Sequence, residues 1–200
     1  MEEVKTGQEY YNSMIQNGIA NIVEKHQLIP VVTVHDVNEV DTIAKTILAR
    51  SVNCVEVTLR SPVAWDAIHV FQEKYGDQLL VGVGTVLTEE DVERCSKSKV
   101  DFMVSPGLTR NRAKAMDVSN VPFLPGVATP SEIIQAMELG YGYLKFFPSN
   151  LFGGLGAMRS YGKLFQGIKF CPTGGIGSEN YKDFLALDNV FAVGGSWLSE

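Results

Sequence analysis

Short apolar runs alternate along the chain with longer stretches whose apolar residues recur at helical spacing. This rhythm predicts eight strands, at about Leu28–Val34, Cys54–Leu59, Leu79–Val83, Phe102–Val104, Pro122–Leu124, Tyr143–Phe147, Ile168–Cys171 and Val190–Val193. The runs are apolar almost throughout, the pattern of parallel strands covered on both faces. Between them lie recognisable helix starts. Asp36 with Glu39, Thr88 with Asp91, and Thr129 with Glu132 each pair a capping side chain with an acid three residues on, and Pro130 suits a first helical position. A further helix over about Tyr10–Lys25 precedes the first strand, behind a polar extension over residues 1–12.

Strands that alternate with helices in this way make an α/β protein, and eight of them predict a closed (β/α)8 barrel, with residues 1–200 forming one domain. The chain stops at Glu200, directly after the eighth strand, so the final outer helix of such a barrel is expected to be missing. The competing architecture is a doubly wound open sheet. Its nearest dinucleotide fingerprint, Gly82-Val83-Gly84-Thr85-Val86-Leu87, lacks the third glycine.

Composition narrows the partners. With 45% hydrophobic and 20% charged residues, the 200-residue chain can bury one substantial core. A net charge of −6 with no run of Lys or Arg gives no footprint for nucleic acid or an anionic membrane. No apolar stretch approaches the ~20 residues needed to span a bilayer. Cys54, Cys95 and Cys171 are odd in number and far apart, so neither a disulfide framework nor a CxxC motif is present, and a reducing cytoplasm fits best. His26, His35 and His69 fall before or within helices rather than together, which leaves a metal site without visible ligands. A cofactor-free reaction on a small metabolite is the expectation, and an anionic substrate must be held by local groups in a focused pocket.

In barrels of this kind chemistry gathers at the C-terminal ends of the strands. There the second strand offers Glu56, Thr58 and Arg60 on one face, and the sixth carries Lys145 between Leu144 and Phe146. A lysine inside an apolar strand either reaches back to water or lies in a cavity. Partial desolvation disfavours the charged ammonium, and a lysine that is neutral part of the time is a nucleophile toward carbonyl carbon. The alternative is a structural ion pair between Lys145 and Glu56 across the barrel. Glu56 in turn is either that partner or a proton-transfer group. Arg60 is suited to a substrate carboxylate, or else forms a surface ion pair. Two glycine pairs follow the last strands, within Pro172-Thr173-Gly174-Gly175-Ile176 and Gly194-Gly195-Ser196. Backbone N–H groups there, with the hydroxyls of Thr173 and Ser196, can close around a phosphate, unless these are ordinary turn glycines. Lys145 and these loops together point to a phosphorylated keto acid.

Glu56-Val57-Thr58-Leu59-Arg60, Gly84-Thr85-Val86-Leu87, Ser105-Pro106-Gly107, Lys145-Phe146-Phe147-Pro148, Cys171-Pro172-Thr173-Gly174-Gly175-Ile176 and Gly194-Gly195-Ser196-Trp197-Leu198 occur in this order. In that order and at that spacing the chain resembles the 2-keto-3-deoxy-6-phosphogluconate (KDPG) aldolase / 4-hydroxy-2-oxoglutarate aldolase family, from about Leu28 to Leu198. The resemblance implies that Lys145 forms a Schiff base with the substrate C2 carbonyl and that Glu56 shuttles protons. It implies that Arg60 and Thr85 hold the pyruvyl carboxylate, that Pro106 and Phe147 line its pocket, and that Gly174, Gly175 and Ser196 meet the phosphate, with Thr173 and Gly195 in the same loops. Cleavage between C3 and C4 would then give pyruvate and glyceraldehyde 3-phosphate, in a homotrimer. The alternatives are cleavage of the galactonate epimer or of 4-hydroxy-2-oxoglutarate, a barrel isomerase using Glu56 as base, and a binding protein without turnover.

Overall fold

The computed structural model describes residues 18–23 and 25–200. Short helix α1 (Ile19–Val23) leads into β1 (Leu28–Val32). Then follow α2 (Val40–Ala49), β2 (Cys54–Thr58), α3 (Ala64–Tyr75), β3 (Leu80–Gly84), α4 (Glu89–Lys97), β4 (Phe102–Val104) and α5 (Arg110–Ser119). The second half runs β5 (Phe123–Leu124), β6 (Gly126–Val127), α6 (Pro130–Glu138), β7 (Tyr143–Phe146), α7 (Gly154–Leu164), β8 (Lys169–Pro172), α8 (Tyr181–Leu185) and β9 (Val193–Gly195). Of the expected helix over Tyr10–Lys25, the part Ile19–Val23 is seen; the rest, like the polar extension 1–12, lies outside the described residues, except that Gly18 is in a bend and Lys25 in a turn.

All strand pairs are parallel. One sheet has the order β5-β4-β3-β2-β1-β9 and another the order β6-β7-β8. Two links close them into a barrel. Isolated bridges Phe170↔Val190 and Thr173↔Gly194 join β8 to β9. At the other seam β5 and β6 are one barrel strand interrupted at Pro125, which has no N–H to give. Its carbonyl still accepts from Lys145 N at 2.8 Å. The predicted fifth strand is thus split and extended to Val127, while the eighth sits at Val193–Gly195 instead of Val190–Val193, with only the Val190 bridge in the expected span.

The elements form for the reasons their sequence contains. Every residue of β2 is buried, as a strand packed on both faces requires. Helix α3 buries Ala64, Ala67, Ile68 and Phe71, an i, i+3, i+4, i+7 stripe laid against the barrel. Capping boxes form at Asp36–Glu39, Thr88–Asp91 and Thr129–Glu132, and Pro130 opens α6. Beyond β9 the chain makes a 3-10 turn, Ser196–Leu198, and reaches Glu200. Among the described residues no helix is long and apolar enough to cross a membrane.

Candidate active site

Lys145 on β7 and Glu56 on β2 meet inside the barrel, each only 3% exposed. The ammonium donates to both carboxylate oxygens, at 3.0 Å to Oε1 and 3.3 Å to Oε2. Two strands from opposite sides of the barrel therefore converge on one buried ion pair. Space for it comes from Gly84 on β3, because a Cβ there would overlap the Glu56 carboxylate. The Phe147 ring lies 5.2 Å from Lys145 Nζ, close enough for its π face to stabilise the cation.

Two thiols share this interior. Burial pushes Cys171 up to about 12, with Glu56 adding to the rise and the Lys145 cation opposing it. Burial likewise pushes Cys54 up to about 12, helped by Cys171 and Glu56. Both therefore stay protonated near neutral pH and are poor nucleophiles there.

Lys145 forms part of the wall of a cavity of about 440 Å³ at the C-terminal ends of the strands. Arg60, Phe147, Thr173, Gly174, Gly175, Gly195 and Ser196, all expected from the sequence, also line it. Arg60 is steered by Nε, which donates to Thr85 Oγ1 at 3.0 Å, and no ion pair engages it among the described residues. Its terminal guanidinium nitrogens are left for an anion. Thr85 holds a left-handed φ of 62°, a conformation that costs a β-branched residue about 1–3 kcal/mol and is kept only where the surrounding structure over-determines it. The strain sets the hydroxyl beside Arg60.

Facing Arg60 across the mouth are the two glycine loops. Gly174 and Gly175 have φ of 95° and 69°, open to glycine and strained for other residues. Gly194 makes room for Thr173, since a Cβ would sit 2.5 Å from its hydroxyl oxygen. Ser196 Oγ donates to Glu200 Oε1 at 3.1 Å, which brings a carboxylate to the same rim.

Three expected residues stand off the cavity wall. Glu56 lies beneath it, behind Lys145; Thr85 is hydrogen-bonded to Arg60, which does line it; Pro106 packs at the exit of β4, where its backbone leaves no room for a side chain on Gly126. Val31, Val32 and Thr33 line the cavity and were not singled out from the sequence. Alternation could have found Thr33, since β1 pairs with β2 through Val31↔Glu56, which turns Thr33 to the same inward face.

Comparison with known proteins agrees with this geometry. A family model described as KDPG and KHG aldolase matches residues 19–200. The chain is 37% identical over 178 residues to the KHG/KDPG aldolase of Escherichia coli (strain K12), covering 89% of this chain and 83% of that one. It is 37% identical over 171 residues to the 2-dehydro-3-deoxy-phosphogluconate aldolase of Dickeya dadantii, covering 86% and 80% respectively. Among solved structures, the KDPG aldolase of Legionella pneumophila, with pyruvate captured as a covalent carbinolamine intermediate, superposes with a TM-score of 0.85 at 37% identity. That match covers 91% of this chain and 87% of the other. With its barrel, its buried lysine and these relatives in agreement, the chain belongs to the KDPG and KHG aldolase family of carbon–carbon lyases.

Proposed function

We propose that the protein is a Schiff-base aldolase that cleaves 2-dehydro-3-deoxy-6-phosphogluconate to pyruvate and glyceraldehyde 3-phosphate. The observation that carries this is the buried Lys145–Glu56 pair at a cavity flanked by Arg60 on one side and two glycine loops on the other. Glu56 is within hydrogen-bond reach of Nζ, so it can take the ammonium proton and free the amine for attack on C2. Glu56 returns that proton to the carbinolamine hydroxyl, which leaves as water to give an iminium and a Glu56 carboxylate. As the C3–C4 bond breaks, its electron pair flows into the iminium and Glu56 accepts the C4 hydroxyl proton. The aldehyde leaves, the pyruvate enamine is protonated at C3, and water hydrolyses the resulting iminium to pyruvate and free Lys145. Arg60, with Thr85 behind it, holds the pyruvyl carboxylate beside Phe147. Gly174, Gly175, Gly195, Thr173 and Ser196 bind the phosphate through N–H and hydroxyl donors. Pro106 takes an indirect part, by fixing the β4 exit. The pyruvate carbinolamine of the Legionella relative supports the same covalent route here.

Borohydride trapping tests the proposal. Pyruvate plus borohydride should add mass at Lys145, and an unmodified Lys145 under turnover conditions would sink the Schiff-base route. A second activity, cleavage of 4-hydroxy-2-oxoglutarate to pyruvate and glyoxylate, is favoured by the family description and by the name of the Escherichia coli relative. Steady-state rates on both substrates rank the two. The same proposal includes a homotrimer in the cytoplasm. Supporting assembly are the apolar side chains of Val118, Leu151 and Leu164, which are more than half exposed; light scattering after size exclusion reads the subunit number.

A further inference from the structure

One polar pair at the barrel mouth stands outside the Schiff-base chemistry. Thr33, just past the end of β1, and Thr58, the last residue of β2, have hydroxyl oxygens 2.7 Å apart. Strand register accounts for the meeting: Val31 is opposite Glu56 and Val32 opposite Val57, so Thr33 comes opposite Thr58 on the inward face. Thr58 is fully buried, whereas Thr33 is half-buried and lines the cavity.

The two hydroxyls do not have equal options. Among the described residues Thr58 Oγ1 has Thr33 as its one hydrogen-bond partner. A buried O–H without an acceptor costs about 1–3 kcal/mol, so Thr58 gives its proton to Thr33 Oγ1. The hydrogen of Thr33 is thereby turned away from Thr58, and the cavity is the open direction. Strand β1 lies between β2, which leads to Arg60, and β9, which leads to Ser196. Thr33 thus flanks the middle of any substrate stretched from the guanidinium to the glycine loops.

We infer that Thr33, oriented by Thr58, is a specificity-determining residue that donates a hydrogen bond to the hydroxyl carried by the aldehyde half of the substrate. The inference rests on the placement of the pyruvyl and phosphate ends proposed above. It assigns to Thr33 the recognition of hydroxylated over deoxygenated phospho-aldehydes.

Condensation of pyruvate with two aldehydes tests it: glyceraldehyde 3-phosphate, and 3-oxopropyl phosphate, which lacks the hydroxyl beside the carbonyl. The wild type should favour the hydroxylated aldehyde in kcat/KM. Thr33→Val should lose about tenfold of that preference, the scale of one hydrogen bond to substrate. Thr33→Ser should keep it, and Thr58→Val, which unties the orientation of Thr33, should lose part of it. Should Thr33→Val fail to fold by thermal unfolding, the Thr33→Val/Thr58→Val pair, with no buried hydroxyl unpaired, carries the same measurement. Equal slowing with both aldehydes in the folded variants would overturn the inference, because loss of packing does not discriminate between them. A wild type that traps pyruvate yet shows no preference between the aldehydes overturns the role of Thr33 alone. A wild type that traps no pyruvate refutes the aldolase reading and the Thr33 role with it.

Discussion

Replacing Lys145 by methionine removes a cation from the barrel interior and leaves Glu56 buried, 3% exposed, with no partner for its charge. At an effective dielectric of about 20, charges 3.0 Å apart attract by roughly 5–6 kcal/mol, of which desolvation of the two ions cancels a large part. What survives shows up on breaking the pair, where removal of one partner of a buried ion pair costs about 3–5 kcal/mol. Lys145→Met and Glu56→Gln should each lower the urea unfolding free energy, by about 3 kcal/mol for the first and less for the second, since glutamine still accepts from Nζ. The double substitution removes both charges together. Its loss should fall short of the sum of the singles by about 2 kcal/mol or more, far above the ~0.5 kcal/mol within which independent sites add. Urea melts of the four proteins, fitted with a common slope, measure this coupling. Additive losses would refute the reasoning, because they would mean that the 3.0 Å contact carries no differential energy in the folded state. Aldolase activity is expected to vanish in both variants that lack Lys145 and to fall by about 10²–10⁴-fold in Glu56→Gln, so stability and catalysis separate: the double variant escapes part of the summed stability loss and recovers no activity.

Other expectations follow from the same geometry. Gly84→Ala drives a methyl into the Glu56 carboxylate, so kcat should drop by roughly 100-fold or more, the scale of a displaced general base, even in the fraction that stays folded; an unchanged kcat would show that Glu56 does not need its present position. Thr85→Gly relieves the left-handed strain and should raise stability by up to about 1 kcal/mol while raising KM, since Arg60 loses its hydroxyl partner; parallel melts and kinetics read both changes. Glu200→Ala removes a carboxylate from the rim and frees Ser196, so KM for a phosphorylated substrate should fall by about two- to fivefold, and no change would detach this loop from phosphate binding. Cys54, Cys95 and Cys171 are all raised from 9.0 to about 12 by burial. The unfolded thiols ionise first as pH rises, so stability is intact below about pH 9 and declines from there toward 12, by up to ~1.4 kcal/mol per pH unit for each cysteine. Cys54→Ala should flatten that slope, and an identical slope in wild type and variant would remove the thiols from the account.

Much of this is legible in the sequence alone, and for physical reasons. Buried parallel strands announce themselves as unbroken apolar runs, and three capping boxes marked helix starts because side chain and backbone must satisfy each other locally. Lys145 and Glu56 were conspicuous because a charge in an apolar strand needs a reason. Less legible was whatever depends on residues without side chains or on contacts across the sheet. The eighth strand was placed early because Gly194 and Gly195, which pair with Ile29 and Pro30, carry no hydrophobic signal. Pro125 split the fifth strand while its carbonyl kept the ladder, a division of labour that composition does not display. Thr33 is less conspicuous although it falls inside the predicted first strand, because a single hydroxyl among apolar neighbours carries no charge to explain; the register that sets it opposite Thr58 shows that it faces inward.

The buried Lys145–Glu56 pair is separated by 89 residues in the chain. Neither Lys145 nor Glu56 can find the other through local structure, so their contact exists only when the two halves of the cylinder have come together. Recovery of borohydride-trappable lysine during refolding is thus a clock for ring closure, and it should lag behind the far-UV signal of the helices, which need only their neighbours. An aldolase assay on this protein reports topology as much as chemistry.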